Sequence, residues 1–254
     1  MLVINADDFG LNPCVNSAIV RSFELGFCSS TTLMANMPGF EEACDLAHQR
    51  RLLNHVGIHL VLRDGPALTE AIKKSSRFCD REGSLALTSS SPVFALATSE
   101  KHTLAAEIRA QVARCRLKGI YLTHLDSHYH LHTRWAILDV VIAVAHSERI
   151  PFVRMSQNCR YGNLRLRLYK YAVNGRIRRA GLSRTQYFAG LDDSLLPMGR
   201  GSLAKRIQSI EVMIHPVIHE GVLIDSGHTE PLESRIASIQ SFDQAVSFSG
   251  TKYR

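Results

Sequence analysis

Between Thr123 and His132 the chain reads THLDSHYHLH, four histidines and one aspartate in ten residues. Imidazole and carboxylate are the common protein ligands of divalent metals and the common carriers of protons near neutral pH. His124, Asp126, His128, His130 and His132 all share one parity. In an extended segment they would project to one side, because side chains alternate along a strand. Such a face cannot be apolar core, which points to a metal or proton-transfer site. The ordinary alternative is a histidine-rich surface strand.

The chain begins with a second chemical signal, NADDFG from Asn5 to Gly10. Leu2-Val3-Ile4 reads as a short buried strand that ends in two adjacent carboxylates, Asp7 and Asp8. Neighbouring strand residues point in different directions, so one acid is free to bind a cation while the other handles a proton. An aspartate at such a place also serves turns and helix caps. His59 lies in the apolar run Val56 to Leu62, where it is either a ligand or a satisfied core residue. His215 closes the run Val212-Met213-Ile214 and is stopped by Pro216. Each of these groups follows or ends an expected strand, and that recurrence ties them together.

At 254 residues the chain suits one domain with a full core, a size ordinary for (β/α) barrels. With 45% hydrophobic and 21% charged residues it is globular and not disordered. No apolar stretch approaches the roughly 20 residues needed to span a bilayer, and the N-terminal run lacks the features of a signal peptide. Six cysteines without a CxxC pair read as reduced thiols of a cytoplasmic protein. The net charge of +7 is local: from Arg149 to Leu191 there are ten Lys or Arg residues and no Asp or Glu. Such a segment faces an anionic partner or, more commonly, is a solvated face or the subunit contact of a homodimer. Nothing in the chain resembles a nucleic-acid module.

The elements expected to position these groups alternate. Pro13 to Leu25 is helical by its four-residue apolar spacing, with Gly26 as its stop. Ser30 to Met34 is a strand, Phe40 to Arg50 a helix, Val56 to Leu62 a strand and His102 to Leu117 a helix. Ile120 to Leu125 is expected as the strand feeding the histidines and Ala136 to Ala145 as the helix after it. Alternation of this kind implies parallel strands, whose carboxyl ends gather active groups. Residues 63–101 break the rhythm with Ser, Thr, Gly and Pro, including LTSSSP at 87–92, and read as an inserted lid or substrate loop.

In this order NADDFG, STTLMAN (30–36), GIHL (57–60), THLDSHYHLH, YKYAVNGRIRRAGLSRTQYF (169–188) and EVMIHP (211–216) make the chain resemble the YdjC-like carbohydrate deacetylases, which include chitooligosaccharide deacetylases and hopanoid-associated relatives. The resemblance implies an α/β fold, a distorted (β/α) barrel of mainly parallel strands. It also implies a metal-dependent hydrolase that removes acetyl groups from acetylated sugars. Carried over residue by residue, it makes Asp8, His59 and His128 the metal ligands, Asp7 the general base and His215 the general acid. The implied cation is magnesium, although two imidazoles and one carboxylate suit zinc, manganese or iron as well.

The chemistry is coherent on its own terms. An acetamide is a poor electrophile that a divalent ion would polarise, and an expelled amine needs a proton. Asp126 and His130, with His124 beside them, then orient a ligand imidazole or a sugar hydroxyl. Three rival readings remain: a non-haem iron oxygenase from the HxD…H pattern of His124, Asp126 and His215, a nucleic-acid or other anion-binding protein, and a member that binds metal without turnover.

Overall fold

In the computed structural model, the structure describes residues 1–87, 95–159, 163–193, 208–240 and 246–250. Seven strands form one sheet: β1 (Leu2–Phe9), β2 (Ser30–Leu33), β3 (Val56–Leu60), β6 (His124–Ser127), β7 (Phe152–Val153), β8 (Tyr187–Gly190) and β9 (Ile210–Ile214). Their order is β7-β6-β3-β2-β1-β9-β8, and every pairing is parallel. The sheet curls into a half-barrel with β7 and β8 as its edges, the distorted (β/α) form that the resemblance implied. Helices connect the strands: α1 (Pro13–Glu24), α2 (Phe40–Gln49), α4 (Thr98–Leu117), α5 (Trp135–Ser147) and α6 (Leu164–Arg179). No helix among the described residues is long and apolar enough to cross a membrane. All six cysteines are free thiols and five are buried, as the absence of paired spacing suggested.

The two faces of the sheet differ in chemistry. Leu2, Ile4, Ala6, Val56, Ile58, Leu125, Ile210, Val212 and Ile214 join the main apolar core with the helices. Alternation along the strands then turns Asn5, Asp7, His59, His124, Asp126 and Glu211 to the other side. These polar residues are as deeply buried as the apolar ones. The half-barrel therefore has an oily outer face under helices and a buried polar inner face. That inner face carries the chemistry.

Two expectations change. The strand before the histidine cluster starts at His124; of the residues expected before it, Ile120 bonds locally to Cys115, and Thr123 reaches Val56 through its backbone and hydroxyl. It also ends early. His128–Thr133 forms a 3-10 turn in which Tyr129 and His130 both have left-handed backbone, with φ of 54° and 55°. Two consecutive residues of that kind turn the chain, so the shared parity of the five polar groups holds only for His124 and Asp126.

The 63–101 segment has structure of its own. β4 (Arg63–Pro66) pairs antiparallel with β5 (Ser84–Ala86), with the short helix α3 (Glu70–Lys73) between them. Of LTSSSP, only Leu87 lies within the described residues, and it is buried. Glu107 of α4 caps this insertion by accepting bonds from the Leu68 and Thr69 amides and the Thr69 hydroxyl. After β9, β10 (Pro216–His219) and β11 (Val222–Asp225) form an antiparallel pair, followed by α7 (Leu232–Gln240).

The glycine of the GIHL run has a steric reason. A Cβ on Gly57 would stand 2.5 Å from the His124 ring, which lies across from it on β6. The His124 ring is fixed in turn, stacked on Phe248 at 4.0 Å and held 3.1 Å from Asn5 Oδ1 through Nε2. Gly57→Ala should therefore lower stability by about 1–3 kcal/mol, the usual range for overpacking. Urea denaturation checks this, and a wild-type midpoint would show that the sheet absorbs the methyl group freely.

Candidate metal and acid–base site

The carboxyl ends of β1, β3, β6 and β9 converge on a cavity of about 510 Å³, lined by Asp7, Asp8, His59, Ser127, His128, Tyr129, His130, His215 and Ser226. The NADDFG run brings both acids there by a kink. The β1–β2 register shifts between Ala6 and Phe9, and Asp8 adopts left-handed backbone with φ of 71°. Such a conformation is uncommon outside glycine but best tolerated by Asp and Asn. Behind it Gly10, at φ of 91°, donates its amide to Asn16 Oδ1, and Asn12 caps α1 by accepting from Val15. A Cβ on Gly10 would meet the Met34 carbonyl at 3.0 Å. The bulge lets two sequential carboxylates face the same cavity.

Asp8, His59 and His128 offer three ligand atoms within 4.8 Å of one another. Asp8 Oδ1 lies 3.2 Å from His59 Nε2 and 3.0 Å from His128 Nδ1. It is buried, yet no N–H is aimed at it in hydrogen-bonding geometry. Burial alone would raise the Asp8 pKa, but the two imidazoles hold it well below the usual carboxylate range. On its other side His59 donates from Nδ1 to Asp126 Oδ1 at 2.7 Å, which leaves Nε2 directed at Asp8. Thr32 Oγ1 stands 3.1 Å from the same nitrogen and donates to Asp126 Oδ2. A carboxylate holding the far nitrogen of an imidazole is the usual support of a metal-binding histidine. Although burial opposes protonation of His59, Asp126, Asp8 and Asp7 raise its pKa to about 10. The site thus demands positive charge at that point. An orphaned carboxylate oxygen facing two imidazole nitrogens fits a divalent cation.

Asp7 sits one residue away in a different environment. Arg154 grips it with both terminal nitrogens, Nη1 to Oδ2 and Nη2 to Oδ1, each at 2.7 Å. Asn5 Nδ2 donates to Oδ1 at 2.8 Å. His215 Nε2 stands 3.9 Å from Oδ2, and His215 donates its backbone amide to Asp225 Oδ1. Burial would raise the Asp7 pKa, but Arg154 overrides it and holds the carboxyl well below its usual range.

Arg154 was not legible as a site residue. In the sequence it is one of ten basic residues in an acid-free segment. Folded, it is completely buried and also contacts Asp126 Oδ2 at 2.6 Å and Glu211 Oε1 at 2.5 Å. Phe188 closes over it, with the guanidinium carbon 4.8 Å from the ring centre. The signal available was its position, just after a short apolar strand, as for the other site groups.

The remaining candidates divide. His130 lines the cavity edge-on to Phe188, its Nδ1 unpartnered among the described residues, and burial pushes its pKa down to about 3. His124 is fully buried outside the cavity and reaches Asp7 only through Asn5. His132 faces away, held by Ser127 Oγ and the Arg154 carbonyl. Tyr129, half exposed beside His128, carries Arg63 against its ring at 4.8 Å. The HxD…H triad of an iron oxygenase is not assembled, because His124 bonds to Asn5 while His215 pairs with Asp7.

Residues 1–241 match the profile of the family described as YdjC-like protein. The chain belongs to the YdjC-like family. It is similar to a carbohydrate deacetylase of Brevibacillus brevis, 41% identical over 157 residues that span 59% of this chain and 57% of that one. A chitooligosaccharide deacetylase of Yersinia enterocolitica is 30% identical over 91% of this chain and 87% of its own length. The fold matches the crystal structure of a putative cellobiose-phosphate cleavage protein from Enterococcus faecalis V583, with TM-score 0.70, 18% identity and 97% of each chain covered.

Glu211 gives this YdjC-like site a pH signature. Its burial outweighs the attraction of Arg154, and its pKa rises from 4.5 to about 7. Oε2 has no hydrogen-bond partner, so the folded chain retains a proton there that the unfolded chain releases near its ordinary value. Stability contributed by that proton is complete below about pH 4.5 and is lost as the pH rises to about 7, by up to roughly 3 kcal/mol. Glu211→Gln should remove this decline, so that the variant gains on the wild type across that window. Denaturant titrations at several pH values measure it, and parallel curves would show that Glu211 titrates normally.

Proposed function

We propose that this chain is a metal-dependent deacetylase that hydrolyses the acetamide of N-acetylated sugars or oligosaccharides. The observation that carries the reading is the placement of Asp8, His59 and His128 around one point, beside the Asp7–His215 pair, in a single cavity. The similar proteins, a carbohydrate deacetylase and a chitooligosaccharide deacetylase, support acetylated sugars as the substrate class. A divalent cation held by Asp8, His59 and His128 would polarise the acetyl carbonyl and acidify water at the site. Magnesium follows the family resemblance, and the nitrogen-rich donor set suits zinc or manganese equally. The chain acts as one domain, with Arg63 and Asp64, at the start of the 63–101 insertion, beside Tyr129 of the cavity.

The residues divide the proton work. Water adds to the acetyl carbonyl carbon and gives a proton to Asp7. The C–N bond then breaks, the nitrogen takes a proton from His215, and acetate leaves the free amine. Both Asp7 oxygens accept from Arg154, but Oδ1 also accepts from Asn5, so Oδ2, turned toward His215, is the oxygen with room for water. Arg154 keeps Asp7 ionised at every working pH but also weakens it as a base, so correct placement has to supply what basicity does not. The Tyr129 ring at the mouth offers a flat surface to a sugar.

Metal and fold are separable. Asp8→Asn and His128→Ala should each lose bound metal and acetate release while keeping the wild-type circular dichroism. Elemental analysis showing undiminished metal in both variants would remove the ligand assignment.

Proton transfer gives a second test. Asp7→Asn should retain metal and lower turnover by about two to four orders of magnitude. His215→Ala should do the same on acetamides but lose far less on activated acetate esters, whose leaving group needs no proton. Acetate release is followed on N-acetylated mono- and oligosaccharides with several divalent ions. Equal losses on amide and ester would make His215 a residue that positions substrate.

A further inference from the structure

The acid-free stretch from Arg149 to Leu191 is only partly explained by the site. Arg154 is consumed by the buried carboxylates. Arg176 fastens α6 to α5, pairing with Asp139, donating to the Trp135 carbonyl and stacking on its ring at 4.1 Å. Other members of the segment meet at a separate cleft of about 680 Å³, larger than the site cavity. It lies between α6 and the amino ends of β8 and β9, where Thr185 and Ser209 precede the strands. The cleft shares no lining residue with the metal and acid cavity, although Met155, next to Arg154 in the chain, belongs to its wall.

Arg167, Lys170, Arg178 and Arg184 line this cleft, and no carboxylate does among the described residues. The guanidinium groups of Arg178 and Arg184 make no ion pair or hydrogen bond among the described residues. Asp193 stands behind one wall, accepting from Gln157. Thr185, only 2% exposed, is a lining residue of the cleft, and its buried hydroxyl has no partner among the described residues. An unpaired buried hydroxyl is costly unless something satisfies it. Tyr171 adds a ring that is 71% exposed. Unpaired guanidinium groups, an unsatisfied hydroxyl and an exposed ring are the complementary parts for an anionic group, a sugar hydroxyl and a sugar face.

We infer that this cleft binds an anionic saccharide, a sugar ring carrying a phosphate or a carboxylate, independently of the metal site. Arg178 and Arg184 hold the anion and Thr185 takes a ring hydroxyl. Calorimetric titration of the full chain with glucose 6-phosphate and glucuronate tests this and distinguishes the two anion sources, with glucose and inorganic phosphate as partial probes. At least one of the anionic sugars should bind once per chain, at least tenfold more tightly than either partial probe, and weaken with salt. The double variant Arg178→Gln/Arg184→Gln should lose about tenfold or more, Thr185→Val should lose a smaller factor, and Asp8→Asn should bind as the wild type does. Absence of binding, undiminished binding in the double variant, or loss in Asp8→Asn overturns the inference. So does inorganic phosphate matching the sugar phosphate. A double variant that changes only the mass in sedimentation makes this face a subunit contact instead and equally overturns it.

Discussion

One guanidinium surrounded by three carboxylates organises the inner face of this sheet. Arg154 touches Asp7, Asp126 and Glu211, and none of the four side chains is open to solvent. Burying a charge without a partner costs several kcal/mol, and a pair repays this only when geometry and further hydrogen bonds are good. Here Arg154 arrives from beyond the β7 edge, while the acids come from β1, β6 and β9. The strands can bury so much acid on one face only because that cation closes over them.

The same network decides what each acid does. Asp7, with Arg154 on both oxygens, stays ionised and keeps one oxygen turned toward His215. Asp126 uses one oxygen for Arg154 and the other for His59, so its charge reaches the imidazole that faces Asp8. Asp8 has no contact with Arg154 at all and relies on His59 and His128. Adjacent residues in one motif therefore meet opposite sources of positive charge, a fixed guanidinium for Asp7 and a metal-competent histidine pair for Asp8. Glu211, buried with one unpartnered oxygen beside Asp126 and Asp7, has its pKa pushed up to about 7 despite Arg154.

Much of this was legible in the chain. The apolar runs around Val3, Ile58 and Val212 mark strands because branched residues fit buried parallel sheets, and the helices after them show their periodicity and glycine stops. The groups that end those runs, Asp7, Asp8, His59 and His215, do line one cavity, since parallel strands must present their carboxyl ends together. The histidine cluster was legible as chemistry but not as geometry. Its even spacing suggested one face, and only the left-handed pair Tyr129 and His130 sends His128 to Asp8 and His132 away.

Residue type and order alone determined the parallel α/β architecture, the strand ends where acids and imidazoles accumulate, and the metal-competent character of those groups, because these follow from local periodicity and side-chain chemistry. Only the tertiary structure decided which groups touch. Arg154 in a basic segment gave no local sign that it would be buried, since burial of a charge depends on partners 147 and 57 residues away in sequence. Likewise, nothing local separates Arg154, locked among carboxylates, from Arg176, stacked on Trp135, or Arg178, at the rim of a cleft. A charge has no period of its own, and its role is set by the field that the rest of the fold brings to it.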